Sequence, residues 1–545
     1  MKAQRTGPDL SVYLQGLLLL VLAALAALAF ALQATPPVWD WPARARVLCA
    51  VAAVLAYTVA CLAASWRRRR VTASLAVGDA ADFLIIHASQ TGFAEQLAQQ
   101  TAQALRGAGR AVTVLPLGEL DAARLRTGDA LFLVSTTGEG DAPDSAFRFV
   151  RQSLAAPAAL QGLRYGVLAL GDRSYARFCA FGHRLEHWLR LSGARPLFDL
   201  VEVDNGEPGA LRHWQHHLRQ LVGHAEIADW RAPAYERWQL VERVCLNPGG
   251  VGAPAFRIAL RSLGGAASWQ GGDIAEIGPC NGADEVGQLL AALGIDGGIA
   301  VAAGEGQGDS ATLAAQLGSR LLPSPDRYAA LAGLGAEELL ARLPALPHRE
   351  YSIASLPADG RVELVVRQMR RDDGRLGHGS GWLTAHAPLH ATIALRVRSN
   401  RNFHLPDSER PLLLIGNGTG IAGLRAHLKA RVAAGRARNW LLFGERRRQD
   451  DFFFRDEIEA WQRAGLLAHV DLAFSRDQAG RVYVQQRLRE QQARLRTWLD
   501  DGATVLVCGS LDGMAPAVDA VLRETLGAAG YDDFVESGRY RRDVY

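Results

Sequence analysis

A short run of hydroxyl and glycine residues near position 90 has the composition of a phosphate-binding loop. Residues 89–94 (Ser-Gln-Thr-Gly-Phe-Ala) follow an apolar run and open a helical pattern over 95–105. Side-chain hydroxyls and the free backbone N–H groups of a helix N-terminus both favour a phosphate. The run contains no Lys or Arg, which separates it from the P-loop of ATP-binding proteins. For this loop taken alone, an ordinary capped turn remains the alternative.

Two further loops fall where two predicted strands end. Residues 135–141 follow the apolar run 130–134, and residues 171–179 follow the run 165–170. With the runs at 83–86, 112–115 and 197–203, these strands alternate with helical patterns, which is typical of a doubly wound parallel sheet. Ligands of such sheets bind beyond the carboxyl ends of the strands, so the three loops can enclose a flat ring on which Tyr175 stacks. The alternative is an exposed loop tyrosine.

A second group of candidate residues lies in a region that predicts an antiparallel barrel. Short alternating stretches such as 255–260 and 362–366 are interrupted by an Ala/Leu-rich helical segment at 284–343. Residues 349–352 (Arg-Glu-Tyr-Ser) offer a guanidinium for a pyrophosphate, an aromatic ring for a flat ligand and a hydroxyl near its reactive atom. Residues 377–380 (Gly-His-Gly-Ser) form a second helix start that suits a phosphate. His378 and His404 are interpreted as solvated loop residues.

A third glycine-rich segment opens the last part of the chain. Residues 416–420 (Gly-Asn-Gly-Thr-Gly) follow a strand run at 412–415, with further runs at 440–444, 469–474 and 504–507. Such a turn is weak support for a dinucleotide by itself, but the strand before it and the helix after it strengthen the prediction. Two guanidiniums and two hydroxyls at 475–483 favour a dianion, whereas an NAD site would place an acid at the ribose. A solvated basic loop is the alternative, and spacing alone favours a buried structural role for Cys508.

Over about residues 80–545, these motifs in this order resemble the diflavin reductases, the family of the flavoprotein subunit of NADPH-sulfite reductase and of NADPH-cytochrome P450 reductase. The resemblance is closer to the former, and the terminal segment 540–545 is a highly specific part of it. It implies an NADPH-dependent reductase that passes electrons through FAD and FMN to an external acceptor. Thr137 departs from P450 reductase, which has a second stacking Tyr there. Arg481 stands where the family usually has Lys, and the helical insert is shorter than in the family's soluble members.

The resemblance assigns roles to the residues of these motifs. In the FMN site it places Ser89, Gln90, Thr91, Gly92, Phe93, Ala94, Ser135, Thr136, Thr137, Gly138, Leu170, Gly171, Asp172, Ser174, Tyr175, Phe178 and Cys179. In the FAD site it places Arg349, Glu350, Tyr351, Ser352, Gly377, His378, Gly379, Ser380 and Tyr545. In the NADPH site it places Gly418, Thr419, Gly420, Ser475, Arg476, Arg481, Tyr483 and Gln485. The expected catalytic residues are Ser352, Cys508 and Asp543 beside the nicotinamide, with Tyr545 covering the FAD ring.

The first 70 residues predict a membrane anchor. Residues 12–32 are almost wholly apolar and, at about 1.5 Å per residue, span about 31 Å, which matches a bilayer core. A second uncharged run at 47–66 ends at the arginines 67–70, which the positive-inside rule places in the cytoplasm. A cleaved signal peptide is the alternative for the first run, but its apolar stretch is too long and a second span follows. The sequence therefore predicts a multi-pass protein of the inner (cytoplasmic) membrane, with its flavin domains facing the cytoplasm and the lipid bilayer as a partner.

Composition limits the other classes of protein. The net charge of +4 over 545 residues does not indicate a nucleic-acid partner. The six cysteines contain no CxxC pair, which argues against a disulfide framework and against a zinc or iron–sulfur site. The predicted fold class is multidomain, with two transmembrane helices in an anchor at 1–70. An α/β flavodoxin-like FMN domain follows at 78–225, then an antiparallel FAD-binding barrel at 236–408 with the helical insert 284–343, and an α/β ferredoxin-reductase-like NADPH domain at 409–545.

The motifs leave the electron acceptor open. An anchor raises the effective concentration of membrane partners. We therefore rank a membrane-bound haem protein or iron-reducing partner, such as one for ferric siderophores, above cytosolic sulfite reductase. The alternative is the flavoprotein component of assimilatory sulfite reduction. An alternative of another class is a membrane-tethered flavodoxin-fold scaffold without catalysis, against which the hydroxyls of Ser89, Thr91 and Ser352 argue.

Overall fold

The computed structural model describes residues 81–121, 125, 127–173, 175–223, 230, 234–265, 267–302, 310–405 and 409–545. The chain divides into two units, Met1–Gly78 and Asp79–Tyr545, and all described residues belong to the second. The predicted fold class is corrected in one respect: among the described residues no helix is long and apolar enough to cross a bilayer, so the structure supports neither of its two transmembrane helices. The spans predicted at about 12–32 and 47–66 lie outside the described residues.

The first part of the described chain is a parallel sheet with helices on both faces. Its strands are β1 (Phe83–Ala88), β2 (Val112–Pro116), β3 (Thr127–Ser135), β4 (Gly162–Gly171), β5 (Arg195–Pro196) and β6 (Val201–Asp204). They lie in the order β2-β1-β3-β4-β5, with β6 also paired to β4. The helices are α1 (Phe93–Gly107), α2 (Phe147–Gln152), α3 (Ala180–Leu191) and α4 (Pro208–Leu221). Because helices cover both faces, the central strands consist mainly of apolar residues, and a separate core lies on each side.

An antiparallel barrel follows. It contains β7 (Glu236–Cys245), β8 (Ala255–Ser262) and β9 (Ile274–Gly278), while β10 (Ala300–Ala302) and β11 (Ser310–Thr312) form a separate pair. The barrel is completed by β12 (Arg349–Ser352), β13 (Val362–Arg367) and β14 (Thr392–Arg398), in the order β12-β9-β14-β7-β8-β13. A bridge between Ile353, directly after β12, and Leu364 in β13 joins the two ends of this order. The closed sheet surrounds its own apolar core.

Two helical segments interrupt the barrel. The first contains α5 (Ala283–Leu293), α6 (Leu313–Gly318) and α7 (Ala336–Arg342), whose apolar side chains form a cluster of their own. This is the segment that the Ala/Leu-rich composition at 284–343 predicts. The second segment is α8 (His378–Gly381), which continues as a π-helix over Trp382–His386 between β13 and β14.

The last part of the chain is a second parallel sheet. Its strands are β15 (Leu412–Asn417), β16 (Asn439–Glu445), β17 (His469–Phe474), β18 (Thr504–Gly509) and β19 (Tyr540–Val544), in the order β17-β16-β15-β18-β19. Its helices are α9 (Ile421–Ala433), α10 (Arg448–Asp451), α11 (Arg455–Arg463), α12 (Val484–Glu490), α13 (Gln492–Asp500) and α14 (Met514–Glu536), the last with a kink at Gly527. The C-terminal segment is therefore an ordered edge strand.

The α/β units and the barrel agree with the fold predicted for residues after the anchor. One predicted strand differs: only the last part of the run 197–203 is strand, as part of β6, and β5 lies just before the run. Pro196 ends β5 because its ring nitrogen cannot donate to the ladder, and Phe198 turns inward to stack on His217 at a centroid distance of 4.1 Å. The domain boundaries at 78–225, 236–408 and 409–545 stay predictions.

Candidate active site

The loop between β1 and α1 is a tightly held turn at the carboxyl edge of the first sheet. Ser89 Oγ accepts a hydrogen bond from Ala94 N (3.2 Å), and Ser89 N donates to Ser145 Oγ (3.1 Å). Gly92 has φ +86°, which glycine adopts without strain, and a Cβ there would lie 2.5 Å from Ser399 O. The N-cap residue Gly92 has no side chain to cap α1, and among the first-turn N–H groups Ala94 N is taken up by Ser89 Oγ. The other first backbone N–H groups of this helix are therefore suited to an anion.

The loop after β3 contains an unpartnered polar atom. Thr136 N donates to Leu170 O (2.9 Å), and Thr136 Oγ1 accepts from Phe181 N (3.3 Å). Thr137 N donates to Asp141 O (2.9 Å), but Thr137 Oγ1 is buried without a hydrogen-bond partner among the described residues. Because buried hydroxyls are nearly always hydrogen-bonded, this atom indicates a polar ligand group, as an FMN ring would supply.

The loop after β4 places Tyr175 at the rim of the same edge. Its side chain is 43% exposed, and burial of the rest, followed by the nearby Asp172, raises its pKa. Cys179 is fully buried with its Sγ donating to Ala169 O, and burial raises the pKa of this thiol to about 12. The exposed ring of Tyr175 is free to stack on a ligand, whereas Cys179 is a neutral packing group. The predicted site residue Ser174 lies outside the described residues.

Residues 349–352 form β12, and alternation along the strand puts Arg349 and Tyr351 on one face. The turn that begins α8 packs against both side chains, since a Cβ on Gly379 would lie 2.6 Å from Arg349 Cγ and 2.7 Å from Tyr351 Oη. Burial raises the pKa of Tyr351, so its hydroxyl stays protonated. Arg398 Nη2 lies 2.5 Å from Glu350 Oε1 on the other face. The structure thus brings the predicted clamp and the predicted phosphate turn together.

The same turn is held by local hydrogen bonds. Ser380 Oγ accepts from Met369 N (3.1 Å), and Gly377 N donates to Met369 O (2.8 Å). His378 is half-buried, and burial together with the nearby Arg371 lowers its pKa to about 4. His378 is therefore neutral at physiological pH and adds no charge to the predicted FAD site.

Ser352, Cys508 and Asp543 meet at one buried point between the barrel and the last sheet. Ser352 Oγ donates to Asp543 Oδ2 (2.6 Å), and Cys508 Sγ lies 3.7 Å from the same oxygen. The parallel register of β18 and β19 sets Cys508 opposite Asp543. Burial raises the pKa of both the Cys508 thiol and the Asp543 carboxyl. The burial agrees with a structural thiol, yet the contact with Asp543 makes Cys508 part of a polar cluster of the kind found at reaction sites.

A close backbone approach makes room for this cluster. A Cβ on Gly420 would overlap Cys508 O, and a Cβ on Gly423 would lie 3.4 Å from Cys508 Sγ. The glycines that follow β15 therefore allow the start of α9 to pack directly against the end of β18. This contact explains why the glycine-rich turn and the cysteine lie together although 85 or more residues separate them in the sequence.

Tyr545 is fixed by its backbone and leaves its ring half-exposed. Its N donates to Gly509 O (3.0 Å), its O accepts from Leu511 N (3.0 Å), and its Oη donates to Thr419 Oγ1 (3.1 Å). The side chain is 53% exposed. A chain terminus held by three hydrogen bonds with an open ring face is suited to cover a flat ligand.

The loop after β3, residues 135–141, contacts a residue that is hydrogen-bonded to Tyr545. Gly138 has φ +50°, and a Cβ there would overlap Leu511 Cδ2. Leu511 in turn donates its backbone N–H to Tyr545. The loop predicted to hold FMN and the residue predicted to cover FAD are thus separated by one side chain.

The predicted NADPH residues lie at the carboxyl edge of the last sheet. Gly418 has φ +56°, and Ser475 is buried with its N donating to Glu445 O (2.9 Å). Arg476 and Arg481 are exposed. Gln485 Oε1 is buried without a hydrogen-bond partner among the described residues, which indicates a ligand donor at this position. Tyr483 is 42% exposed at the start of α12.

Sequence reasoning missed several residues of the site. Asn402 Nδ2 donates to Ser89 O (2.6 Å) and thereby ties the phosphate loop to the segment that leaves the barrel. His404, interpreted above as solvated, has its Nε2 2.6 Å from Asp273 Oδ1 and a side chain only 14% exposed. Arg542 and Asp144 form a further contact between the first and last sheets. The partners of these residues are more than 100 residues away in the sequence, and no local pattern reveals them.

Flavin-type loops on one α/β sheet, joined through a barrel to a nucleotide-binding sheet, define the class of NADPH-dependent flavoprotein oxidoreductases. Residues 85–214 match the family model described as Flavodoxin, and residues 414–520 match the Oxidoreductase NAD-binding domain.

Named relatives cover most of the chain. The sulfite reductase [NADPH] flavoprotein alpha-component of Vibrio vulnificus is 30% identical over 87% of this chain and 89% of its own length. The component of the same name from Yersinia enterocolitica is 31% identical over 87% of this chain and 92% of its own length. The component of the same name from Serratia proteamaculans is 30% identical over 86% of this chain and 90% of its own length. The chain therefore belongs to the diflavin reductase family, together with these sulfite reductase flavoprotein alpha-components.

These comparisons confirm one part of the predictions and overturn another. The protein is an NADPH-dependent flavoprotein reductase with FMN and FAD as cofactors, so the alternative of a scaffold without catalysis is excluded. The predicted localisation as a multi-pass protein of the inner membrane is wrong. The relatives that align with 87% of this chain are named as sulfite reductase flavoproteins. Among the described residues, no helix could span a bilayer. The lipid bilayer and a membrane-bound acceptor are likewise not retained as partners.

Proposed function

We propose that the protein delivers electrons from NADPH, by way of its two flavins, to a haem-protein acceptor of the sulfite reductase type. The proposal is supported by one contact between the two predicted flavin sites. Gly138, in the loop predicted to hold FMN, packs on Leu511, and the backbone N–H of Leu511 donates a hydrogen bond to Tyr545 O. The two predicted flavin sites are therefore adjacent, as direct transfer between them requires. The name of the relatives supports sulfite reductase as the type of acceptor.

Bound FAD and FMN supply the two-electron and one-electron chemistry, and the chain supplies position and electrostatics. Ser352 and Asp543 are proposed to act on the nicotinamide. The Ser352 hydroxyl is oriented by its 2.6 Å hydrogen bond to Asp543. The carboxylate can stabilise the positive charge that develops on the nicotinamide ring as the hydride leaves. Cys508 stays a neutral thiol because its burial raises its pKa, and it would lie beside the nicotinamide ring when the coenzyme is bound.

Three further roles are proposed for the exposed groups of the site. Tyr545 covers the FAD ring in the absence of coenzyme, because its own ring is half-exposed above a fixed backbone. Arg476 and Arg481 bind the 2′-phosphate of NADPH, and their exposure leaves the guanidiniums free to do so. Tyr175 stacks on one face of the FMN ring, while Thr137 gives the other face a hydroxyl instead of an aromatic cover.

The proposal is tested by separating electron entry from electron exit. Purified full-length protein should retain one FMN and one FAD and should reduce the haem subunit of a sulfite reductase with NADPH. Asp543→Asn should slow this reduction strongly, yet it should leave the rate unchanged when dithionite replaces NADPH, because the FMN end is intact. Fewer than two distinct flavins would overturn the reductase path through this chain. Normal flavin reduction by NADPH without any transfer to the haem subunit would overturn the acceptor alone.

A further inference from the structure

The phosphate loop of the predicted FMN site, residues 89–94, is hydrogen-bonded to β19, the strand that contains Asp543. Gln90 Nε2 donates to Arg542 O (3.0 Å), and Arg542 directly precedes Asp543 in β19. Gln90 also exchanges hydrogen bonds with Asp144: Asp144 N donates to Gln90 Oε1 (2.9 Å), and Gln90 Nε2 donates to Asp144 Oδ2 (3.3 Å). A loop of the first sheet therefore contacts the backbone beside a proposed catalytic carboxylate of the last sheet.

The side chain of Arg542 strengthens this connection. Its guanidinium donates to both carboxylate oxygens of Asp144, with Nε 3.0 Å from Oδ2, and its Nη1 lies 3.3 Å from Asp519 Oδ2 on α14. Burial lowers the pKa of Arg542, but Asp144, Tyr540 and Asp519 together raise it above its ordinary value, so the guanidinium stays charged. The two side chains are only 26% and 22% exposed. A two-oxygen contact of this kind fixes orientation as well as providing attraction.

Because β19 lies at the edge of its sheet, the contacts of Gln90 and Asp144 with Arg542 help to fix its position. The strand order ends at β19, and among the described strands it is paired only to β18. One side of the strand is therefore held by a backbone ladder. The other side is held by Gln90 and Asp144, together with the hydrogen bond from Arg541 Nη1 to His404 O (2.6 Å). Since Ser352 comes from the barrel, a small displacement of β19 changes the 2.6 Å contact between Ser352 and Asp543.

We propose that the FMN-binding part of the chain positions Asp543 for hydride transfer, with Gln90 and Asp144 holding the terminal strand through Arg542. This inference rests on the proposed role of Asp543. Asp144 and Arg542 are positioning residues, because they act on Asp543 through the strand. Coupling of this kind is reciprocal, so FMN in the phosphate loop and NADP⁺ in the nucleotide site each change the affinity of the other by the same factor.

The test compares two ion pairs that join the same parts of the chain. Asp144→Asn removes the charge that holds Arg542 and keeps the size of the side chain. Arg151→Gln is the matched control, because Arg151 lies 3.1 Å from Asp532 and from Glu536 on α14 and these pairs do not involve β19. The rate of FAD reduction at saturating NADPH is measured by anaerobic stopped flow. Asp144→Asn should be about tenfold slower than wild type, since small errors in the position of a reacting group are costly. Arg151→Gln should match wild type.

Two additional measurements separate positioning from general damage. Arg542→Lys, which keeps the charge but not the two-oxygen geometry, should fall between wild type and Arg542→Gln. The dissociation constant of FMN should differ with and without saturating NADP⁺ in wild type, and this difference should disappear in Asp144→Asn. If Asp144→Asn loses FMN, Arg542→Gln gives the same test from the opposite side of the contact.

Three results would overturn the inference: a wild-type rate in both Asp144→Asn and Arg542→Gln, equal slowing in Arg151→Gln, or an FMN affinity in wild type that is indifferent to NADP⁺. A failure of the underlying role is distinguishable. If Asp543→Asn itself leaves FAD reduction unchanged, the proposed role of Asp543 is wrong. If Asp543→Asn slows it and the positioning variants do not, only the coupling is wrong.

Discussion

Replacing Arg476 and Arg481 together with Ala should weaken NADPH binding about thirtyfold and leave NADH binding unchanged. Both guanidiniums are exposed, so each contact with a phosphate is screened by water and contributes about 1 kcal/mol, not the roughly 3 kcal/mol of a buried charged contact. Two such contacts give about 2 kcal/mol, and about 1.4 kcal/mol corresponds to tenfold in a dissociation constant. NADH lacks the 2′-phosphate and therefore loses nothing.

The assay is equilibrium binding of NADP⁺ and of NAD⁺, supported by kcat/KM for NADPH and NADH. Arg489→Ala is the control for loss of a positive charge, because Arg489 lies on the neighbouring helix and is paired with Glu524 at 3.3 Å. Added salt should shrink the difference between wild type and the double variant, since exposed charges are screened. Equal losses with NADP⁺ and NAD⁺, or the same loss in Arg489→Ala, would refute the assignment of this loop to the 2′-phosphate.

Three further outcomes follow from the site. Deleting Tyr545 should raise FAD fluorescence and raise kcat/KM for NADH relative to NADPH; no change in either would contradict its covering role. Burial raises the pKa of Asp543 above the ordinary value of an aspartate, so a higher pH is needed to form its carboxylate. The acid limb of the pH profile for FAD reduction should therefore lie above that value and vanish in Asp543→Asn, and a limb that persists there belongs to another group. Gly92→Ala should lower the FMN content, because φ is +86° and the new Cβ would lie 2.5 Å from Ser399 O. Gly109→Ala, at φ +76° with nothing within 4 Å, should retain FMN, and equal loss in both would point to general strain.

Local patterns were sufficient for the elements and for the loops between them. The strands that begin at Phe83, Leu412 and Thr504 are continuous apolar runs followed by glycine or hydroxyl residues, and such runs form buried parallel strands. The two spans that hydropathy alone predicts in the first 70 residues have no support in the described part of the chain. An uncharged run of 21 residues meets the length criterion for a span, but the criterion does not establish that a span forms.

Short motifs with their own chemistry predicted the order of the three sites and the clamp at 349–352 from the sequence alone. The roles of Ser352, Cys508 and Asp543 came from the family resemblance and stay predictions. Tertiary structure alone decided how these motifs meet. Ser352 and Asp543 are 191 residues apart and share a hydrogen bond only because β12 of the barrel and the edge strand β19 converge. Arg542 and Asp144 are 398 residues apart in the sequence. Charge pairing across such separations leaves no periodic or compositional signal in the chain, since it depends on how whole sheets pack.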